Sequence, residues 1–200
     1  SYYTLDPYPL LPAVVGILIA FLGIDVLIRE KGSDISIAFL LFSLATAVWL
    51  VGEGGVSATH YPSVAKWWVT ISSCAFVCIP STLYLFTSVI LRRFNALRQY
   101  AALAFLISLL FSLGIILTPW FIKDLYHYNW GYYPQYHFSS IAFLIFFFAM
   151  IFFSLNQLWK DYKQTPSETH KERLKIFFIG FSIFSLIAVD HLPAYGLPIY

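Results

Sequence analysis

The sequence predicts an all-α membrane protein, a polytopic bundle of six transmembrane helices whose N-terminus lies outside the cell. Of its 200 residues, 60% are hydrophobic and only 11% are charged, a balance that ordinary water-soluble domains do not reach. Six apolar runs, each bounded by charged residues, Gly or Pro, have the length of about 20 residues that a helix needs to cross a bilayer. The chain is therefore expected to form one transmembrane domain.

The six runs follow one another with short polar connections. The first run follows Asp6 and Pro7 rather than a basic segment, so it is interpreted as a helix and not as a cleaved signal peptide. The second contains ISIAFLLFSLATAVWLVG, and the fifth is centred on the Phe-rich stretch AFLIFFFAMIFF. The predicted helices span approximately residues 10–28, 35–52, 67–91, 100–121, 138–159 and 174–191.

The orientation follows from the basic residues in the connections, because Lys and Arg are retained on the cytoplasmic side. Ten of the twelve lie in the first, third and fifth connections, namely Arg29, Lys31, Arg92, Arg93, Arg98, Lys160, Lys163, Lys171, Arg173 and Lys175. The alternate connections hold only Lys66 and Lys123. The first, third and fifth connections are therefore expected to be cytoplasmic.

Six crossings would leave the chain outside the cell near Asp190. The sequence then ends in HLPAYGLPIY, a segment that Pro and Gly interrupt. We expect a seventh helix beyond residue 200, which would return the chain to the cytoplasm, where a signalling domain could follow.

Aromatic residues concentrate on the predicted outer face. Eleven of fourteen Tyr and four of five His fall there, and the stretch KDLYHYNWGYYPQYH, residues 123–137, alone carries Trp130 and Tyr133 among its aromatic side chains. An interfacial belt would place comparable numbers of Trp and Tyr at both faces. Two further interpretations stay open: a lid packed over the bundle, and a lid that roofs a ligand pocket. The candidate pocket residues are Trp49, Glu53, Trp130, Tyr133, Asp190 and His191.

Placing an ionisable residue inside a membrane-spanning segment costs free energy, so such residues mark functional or paired structural positions. Asp25 and Arg29 have the four-residue spacing of a structural pair on one helix face. Glu53 follows Trp49 by one turn at the outer end of the second helix, where it is either a solvated helix-end carboxylate or a hydrogen-bond acceptor at the floor of an outer cavity. Asp190 and His191 form either a plain interfacial pair or a pH-sensitive element.

Other site chemistry has little support in the sequence. It contains no Gly-rich phosphate loop, HExxH pair or GxSxG elbow, and no catalytic residue, metal site or cofactor is predicted. Cys74 and Cys78 lie four apart in an apolar run and are interpreted as packing residues. The net charge of +2 is too small to indicate nucleic-acid binding.

Two kinds of residue predict how the helices pack and bend. Ser43 and Ala47, four residues apart, allow close approach of a neighbouring helix. Pro80 and Pro119 are predicted to interrupt the third and fourth helices, either as static kinks or as hinges.

Three stretches resemble a known family. The segments FLLFSLATAVWLVGEGG, ERLKIFFIG and VDHLPAYGLPIY are similar to the seven-helix N-terminal sensor region of bacterial and archaeal histidine kinases, which is also fused to diguanylate cyclases. The resemblance implies a Trp followed by an acid in the second helix, here Trp49 and Glu53. It also implies an Asp-x-x-Pro-x-x-Gly-like segment, here Asp190, Pro193 and Gly196.

The expected function is that of a non-enzymatic input module in a prokaryotic cytoplasmic membrane. A small ligand or an outer-face protein would contact the aromatic loops, and the signal would pass to a cytoplasmic output domain. A structural accessory subunit of a larger membrane complex is the first alternative, and a haem, redox or transport subunit is the second. The expected partners include the lipid bilayer, a second copy of the chain or a larger complex, and no nucleic acid.

Overall fold

A computed structural model describes residues 7–128, 131–186 and 194–195 of the chain. The fold is a helical bundle with one β-hairpin. The helices are α1 (Pro7–Arg29), α2 (Asp34–Ala58), α3 (Pro62–Ile90), α4 (Phe94–Leu117), α5 (Ile141–Gln164) and α6 (Glu168–Leu186). Strands β1 (Ile122–Tyr128) and β2 (Gly131–Tyr136) and a 3₁₀ turn, Phe138–Ser140, lie between α4 and α5.

Five helices, α1 to α5, are long and apolar enough to cross a membrane by their length and composition. The protein is therefore a multi-pass helical membrane bundle. Helix α6 begins in the charged segment ETHKERLK and is not among the candidate spans found in the described part of the chain. Residues 187–193, where its predicted span would end, lie outside that part.

Helix α3 is the centre of the bundle. It contacts α2, α4 and α5, and its apolar window is 67% buried, against 11% for that of α1. Its buried face carries small and hydroxyl-bearing residues, among them Ser72, Ser73, Ser81 and Ser88. Small residues favour the centre of a membrane bundle, because helix association in lipid depends on close packing and interhelical hydrogen bonds rather than on hydrophobic burial.

Helix α1 packs at the periphery against α2. A Cβ atom added to Gly16 would lie 2.8 Å from the carbonyl oxygen of Ala47, and one added to Gly23 would lie 2.8 Å from Cβ of Ser43. The small residues predicted to permit close approach, Ser43 and Ala47, therefore do so against two glycines of α1.

Pro80 lies inside α3, and α4 supplies hydrogen bonds beside it. Ser108 Oγ donates to the carbonyl oxygen of Val77 at 2.7 Å, and the hydroxyls of Ser81 and Ser108 lie 2.7 Å apart. Helix α3 continues through Pro80, although Pro80 cannot donate a hydrogen bond to the carbonyl of Phe76 four positions earlier. The bond from Ser108 to the neighbouring carbonyl of Val77 ties this turn of α3 to α4. Pro119, in contrast, lies outside α4, because the helix ends at Leu117.

The stretch between α4 and α5 is a hairpin rather than the loop expected from the sequence. Strands β1 and β2 pair antiparallel, with Tyr126 opposite Tyr133 and Leu125 opposite Pro134. Tyr and other aromatic residues suit a half-buried strand. Pro134 is tolerated because a two-stranded ribbon has edges on both sides.

The two ends of the bundle differ in character. The end that carries the hairpin is called the aromatic end. The other, called the basic end, holds the turns that join α1 to α2, α3 to α4 and α5 to α6. An ion pair of 2.5 Å between Arg93 and Asp161 joins the turn after α3 to α5 there, a contact between distant residues that no local pattern indicates.

Candidate functional site beneath the aromatic hairpin

Glu53 lies within α2 and not at its end. The sequence predicted that the helix ends at residue 52, whereas it continues to Ala58. Glu53 is half-buried, and its Oε1 accepts a hydrogen bond of 2.6 Å from Ser72 Oγ of α3. Of the two interpretations of Glu53, the geometry corresponds to the hydrogen-bond acceptor.

Gly52 brings α2 close enough to α3 for this hydrogen bond. A Cβ atom at residue 52 would lie 2.5 Å from Cβ of Ser72 and 3.1 Å from its Cα. These distances are far below the 3.5–4.0 Å of ordinary carbon contacts. Glycine is thus required where the two helices meet.

Trp49 lies one turn below Glu53 on the same side of α2. Its side chain is 5% exposed, and its ring centroid is 5.2 Å from that of Phe76. Phe76 in turn contacts Phe143 of α5. Trp49 is therefore part of the packed interior under the hairpin.

Tyr136, the last residue of β2, closes the interior from above. Its side chain is 9% exposed, and its ring meets that of Phe121 edge-on at 5.5 Å. Burial raises the pKa of its phenol well above the ordinary value, and the negative charge of Glu53 raises it further, while an interaction with Ser73 lowers it. The phenol is neutral at physiological pH and shares the interior with a carboxylate.

Tyr195 extends this polar cluster. Its ring centroid lies 5.8 Å from that of Tyr136, and its hydroxyl is 2.8 Å from Ser140 Oγ. The Ser140 hydroxyl also donates to the carbonyl oxygen of His137 at 2.6 Å, and either hydroxyl can be the donor in the contact between Ser140 and Tyr195. Burial raises the pKa of Tyr195, and the hydrogen bond with Ser140 lowers it.

The hairpin is held to the bundle at several further points. The Tyr132 hydroxyl donates to the carbonyl oxygen of His60 at 3.3 Å, and Lys66 of α3 lies 3.6 Å from Asp124 of β1. Gly131, at φ +136°, approaches Ser57 so closely that a Cβ atom would lie 2.6 Å from its carbonyl oxygen. The hairpin is therefore a lid in contact with both α2 and α3.

The other predicted site residues divide into three groups. Tyr133 of β2 is half-buried and packs against the core. Trp130, Asp190 and His191 lie outside the described residues. Asp25 and Arg29 form an ion pair of 2.7 Å with exposed side chains, near the basic end and away from the lid.

Sequence reasoning missed Ser72, Ser73, Tyr136 and Tyr195 as members of this cluster. The sequence held one signal for Tyr136: alternate residues of a strand share a face, which places Pro134 and Tyr136 on the same face of β2. Both are buried in the structure. The partners of Glu53 carried no such signal, because Ser72 is a short hydroxyl residue in an apolar run.

The cluster, comprising Glu53, Ser72, Ser73, Tyr136 and Tyr195, contains a carboxylate, two serine hydroxyls and two phenols. Within the described part of the chain, no three or more His, Cys, Asp or Glu side chains converge as they would around a metal ion. His137 accepts a hydrogen bond from the backbone N–H of Ser139 at 3.3 Å, and the ring of His127 lies 4.9 Å from that of Tyr132. The cluster of carboxylate, serine hydroxyls and phenols serves to hold the lid on the bundle.

Comparisons with models of protein families, with curated proteins and with solved structures find no match to this chain.

Proposed function

We propose that this protein is a membrane-embedded sensory input module, whose outward-facing hairpin lid responds to a ligand or protein partner and whose basic end acts on a cytoplasmic output domain outside these 200 residues. The observation that carries the proposal is the cluster of Glu53, Ser72, Ser73 and Tyr136. It joins the lid to α2 and α3, of which α3 is the buried centre of the bundle. The resemblance to sensor regions of histidine kinases agrees with this arrangement and suggests a prokaryotic cytoplasmic membrane.

The energy that seats the lid suits a switch. Burial of one large aromatic side chain such as Tyr136 stabilises a structure by roughly 1.5–3 kcal/mol. A ligand shifts such an equilibrium only by binding one arrangement more tightly than the other. A difference of a few kcal/mol in its affinity for the seated and lifted lid is sufficient.

Helix α3 offers a route from the lid to the basic end. Lifting Tyr136 would admit water to Glu53 and weaken the contact between Glu53 and Ser72. Pro80 lies further along the same helix, where Ser108 of α4 attaches to Val77. A change in the α2–α3 contact would therefore alter the contact between α3 and α4 near Pro80.

The topology is tested by labelling single cysteines in intact cells. In a background with Cys74→Ala and Cys78→Ala, we expect His127→Cys in β1 to react with a membrane-impermeant maleimide. Asn95→Cys in the first turn of α4 should react only after the cells are opened. The opposite pattern would reverse the proposed orientation.

Coupling is tested by distance measurements at the basic end. Spin labels at Asn95→Cys and Glu172→Cys, in the same background, report the spacing of α4 and α6 in bilayer nanodiscs. Glu53→Gln and Tyr136→Phe should each shift the distance distribution. Tyr126→Phe, which removes a hydroxyl from the same hairpin, should leave it unchanged. Identical distributions in all four proteins would contradict coupling between the lid and the basic end.

A further inference from the structure

The basic end contains a groove that the proposed function does not use. Its cavity measures about 590 Å³ and lies between the ends of α1 and α3 and the beginnings of α2 and α6. It is called the basic groove. Its mouth is formed by Glu30, Arg92, His170 and Arg173, and its walls are mainly apolar.

The two arginines at the mouth are available to a ligand. In the described part of the chain four ion pairs form, and neither Arg92 nor Arg173 takes part in any of them. The adjacent Arg93, in contrast, is bound to Asp161. Among the described residues, Glu30 is the one acidic residue that lines the groove, so the mouth keeps a positive balance at neutral pH. Because His170 lies in the first turn of α6 and lines the mouth with them, the positive end of that helix dipole adds to the attraction for an anion.

The backbone of Arg92 has a left-handed conformation, which favours glycine. Its φ is +54°, and the N–H groups of Arg92 and Arg93 donate to the carbonyls of Val89 and Ser88, both at 2.9 Å. This is the hydrogen-bond pattern that closes a helix with a left-handed residue, which is usually Gly or Asn. An arginine here accepts backbone strain and places a cation at the mouth of the groove.

Behind the mouth the groove is lined by aromatic and aliphatic side chains. The ring centroid of Phe86 lies 5.4 Å from that of Phe39 and 5.8 Å from that of Phe177. Ile35, with 45% of its surface exposed, and Ile90 complete these walls. The groove thus joins a cationic mouth to an apolar interior.

We propose that the basic groove binds an anionic phospholipid of the surrounding bilayer, with the headgroup phosphate at Arg92 and Arg173 and an acyl chain along Phe39, Phe86 and Phe177. The five apolar helices place the protein in a bilayer, where a phospholipid presents a phosphate and a hydrocarbon chain at adjoining depths. Basic pockets between transmembrane helices are suited to such headgroups. A free anion would use the mouth alone and leave the apolar walls unoccupied.

A second groove, between α4 and α5, provides an internal comparison. Its cavity is similar, about 520 Å³, but none of the described residues that line it is charged. It offers acyl chains a surface with no preference for headgroup charge. Selectivity for anionic lipid is therefore expected from the basic groove alone.

The experiment measures lipid binding to the purified 200-residue chain in neutral detergent, with native mass spectrometry counting bound phosphatidylglycerol or phosphatidylcholine. The wild type should bind phosphatidylglycerol selectively. The double variant Arg92→Gln/Arg173→Gln should bind it roughly 30-fold more weakly, from about 1 kcal/mol for each cation and tenfold for each 1.4 kcal/mol. The matched control Lys160→Gln/Lys175→Gln, which removes equal charge outside the groove, should bind as the wild type does.

Two additional measurements distinguish a membrane phospholipid from a soluble phosphate and check that weaker binding is not caused by misfolding. Ile35→Trp, which fills the apolar wall and changes no charge, should also weaken phosphatidylglycerol binding. Glycerol 1-phosphate and inorganic phosphate should compete poorly. Equal losses in both double variants, equal binding of the two lipids, retention of binding in Ile35→Trp, or full competition by either soluble phosphate would each overturn the proposal.

Discussion

Replacing Gly52 by Ala tests the contact on which the candidate site depends. The new Cβ atom would lie 2.5 Å from Cβ of Ser72 and 3.3 Å from its backbone nitrogen. Carbon atoms in ordinary contact are 3.5–4.0 Å apart, so α2 and α3 would have to separate by about 1 Å. The same displacement would stretch the hydrogen bond between Ser72 and Glu53, now 2.6 Å, beyond the range of a hydrogen bond.

The expected loss of stability combines three terms. Overpacking costs about 1–3 kcal/mol, and a weakened hydrogen bond to a charged group costs about 1.5–3 kcal/mol. Alanine recovers at most about 1 kcal/mol through its higher helix propensity. Gly52→Ala should therefore lower the free energy of unfolding by roughly 1.5–6 kcal/mol.

The assay is unfolding by SDS in mixed micelles, followed by circular dichroism. Gly114→Ala is the matched control, because a Cβ atom there would meet nothing within 4 Å. It should leave the protein as stable as the wild type or up to about 1 kcal/mol more stable. If Gly52→Ala unfolds at the same SDS fraction as Gly114→Ala, the close contact between α2 and α3 is refuted.

Three further predictions concern other parts of the molecule. Ser108→Ala, which deprives Ser81 and the turn of α3 around Pro80 of their link to α4, should cost about 1–2 kcal/mol in the same SDS assay, whereas Ser112→Ala, which removes a bond within α4 and weak contacts with the thiols of Cys74 and Cys78, should cost less. The folded protein raises the pKa of Tyr136, so the contribution of this phenol to stability is complete below pH about 10 and is lost as the pH rises further, because only the unfolded chain then releases the proton. In thermal unfolding from pH 8 to 11, the melting temperature of Tyr136→Phe should therefore fall less steeply with pH than that of the wild type. Equal slopes in the two proteins would contradict the assignment. Arg92→Gly should stabilise the lipid-free protein by about 1 kcal/mol, because glycine adopts a positive φ without strain; a loss of stability in detergent would contradict the strain at this residue.

The sequence was sufficient for the class of the protein and for much of its secondary structure. Composition and run length predict a multi-pass helical bundle, and the predicted segments 10–28 and 35–52 lie inside α1 and α2. The small residues Ser43 and Ala47 indicated a close helix contact that α1 provides. These properties are local, since a helix in lipid must satisfy its own backbone hydrogen bonds and expose apolar side chains wherever it occurs.

The limits of α2 and the hairpin depended on tertiary contacts. Local composition predicted that α2 ends at the glycines around Glu53, but the helix packs against α3 and continues to Ala58. The stretch after Phe121 appeared as an aromatic loop, and it pairs as two strands because the bundle beneath it accepts Tyr136. Glycine and aromatic residues are compatible with several backbone conformations, so their neighbours decide among them.

The sequence by itself determined that this chain enters a membrane, where the apolar helices α1 to α5 approximately lie, and which connections carry the basic residues. Only the tertiary structure decided that Glu53 accepts a hydrogen bond from Ser72, that Tyr136 rather than an open cavity fills the space beside it, and that Arg92 and Arg173 meet at one groove. The physical reason is that hydrophobicity and charge act residue by residue along the chain. Hydrogen bonds and cavities depend on side chains from distant segments, which come together only when the helices pack.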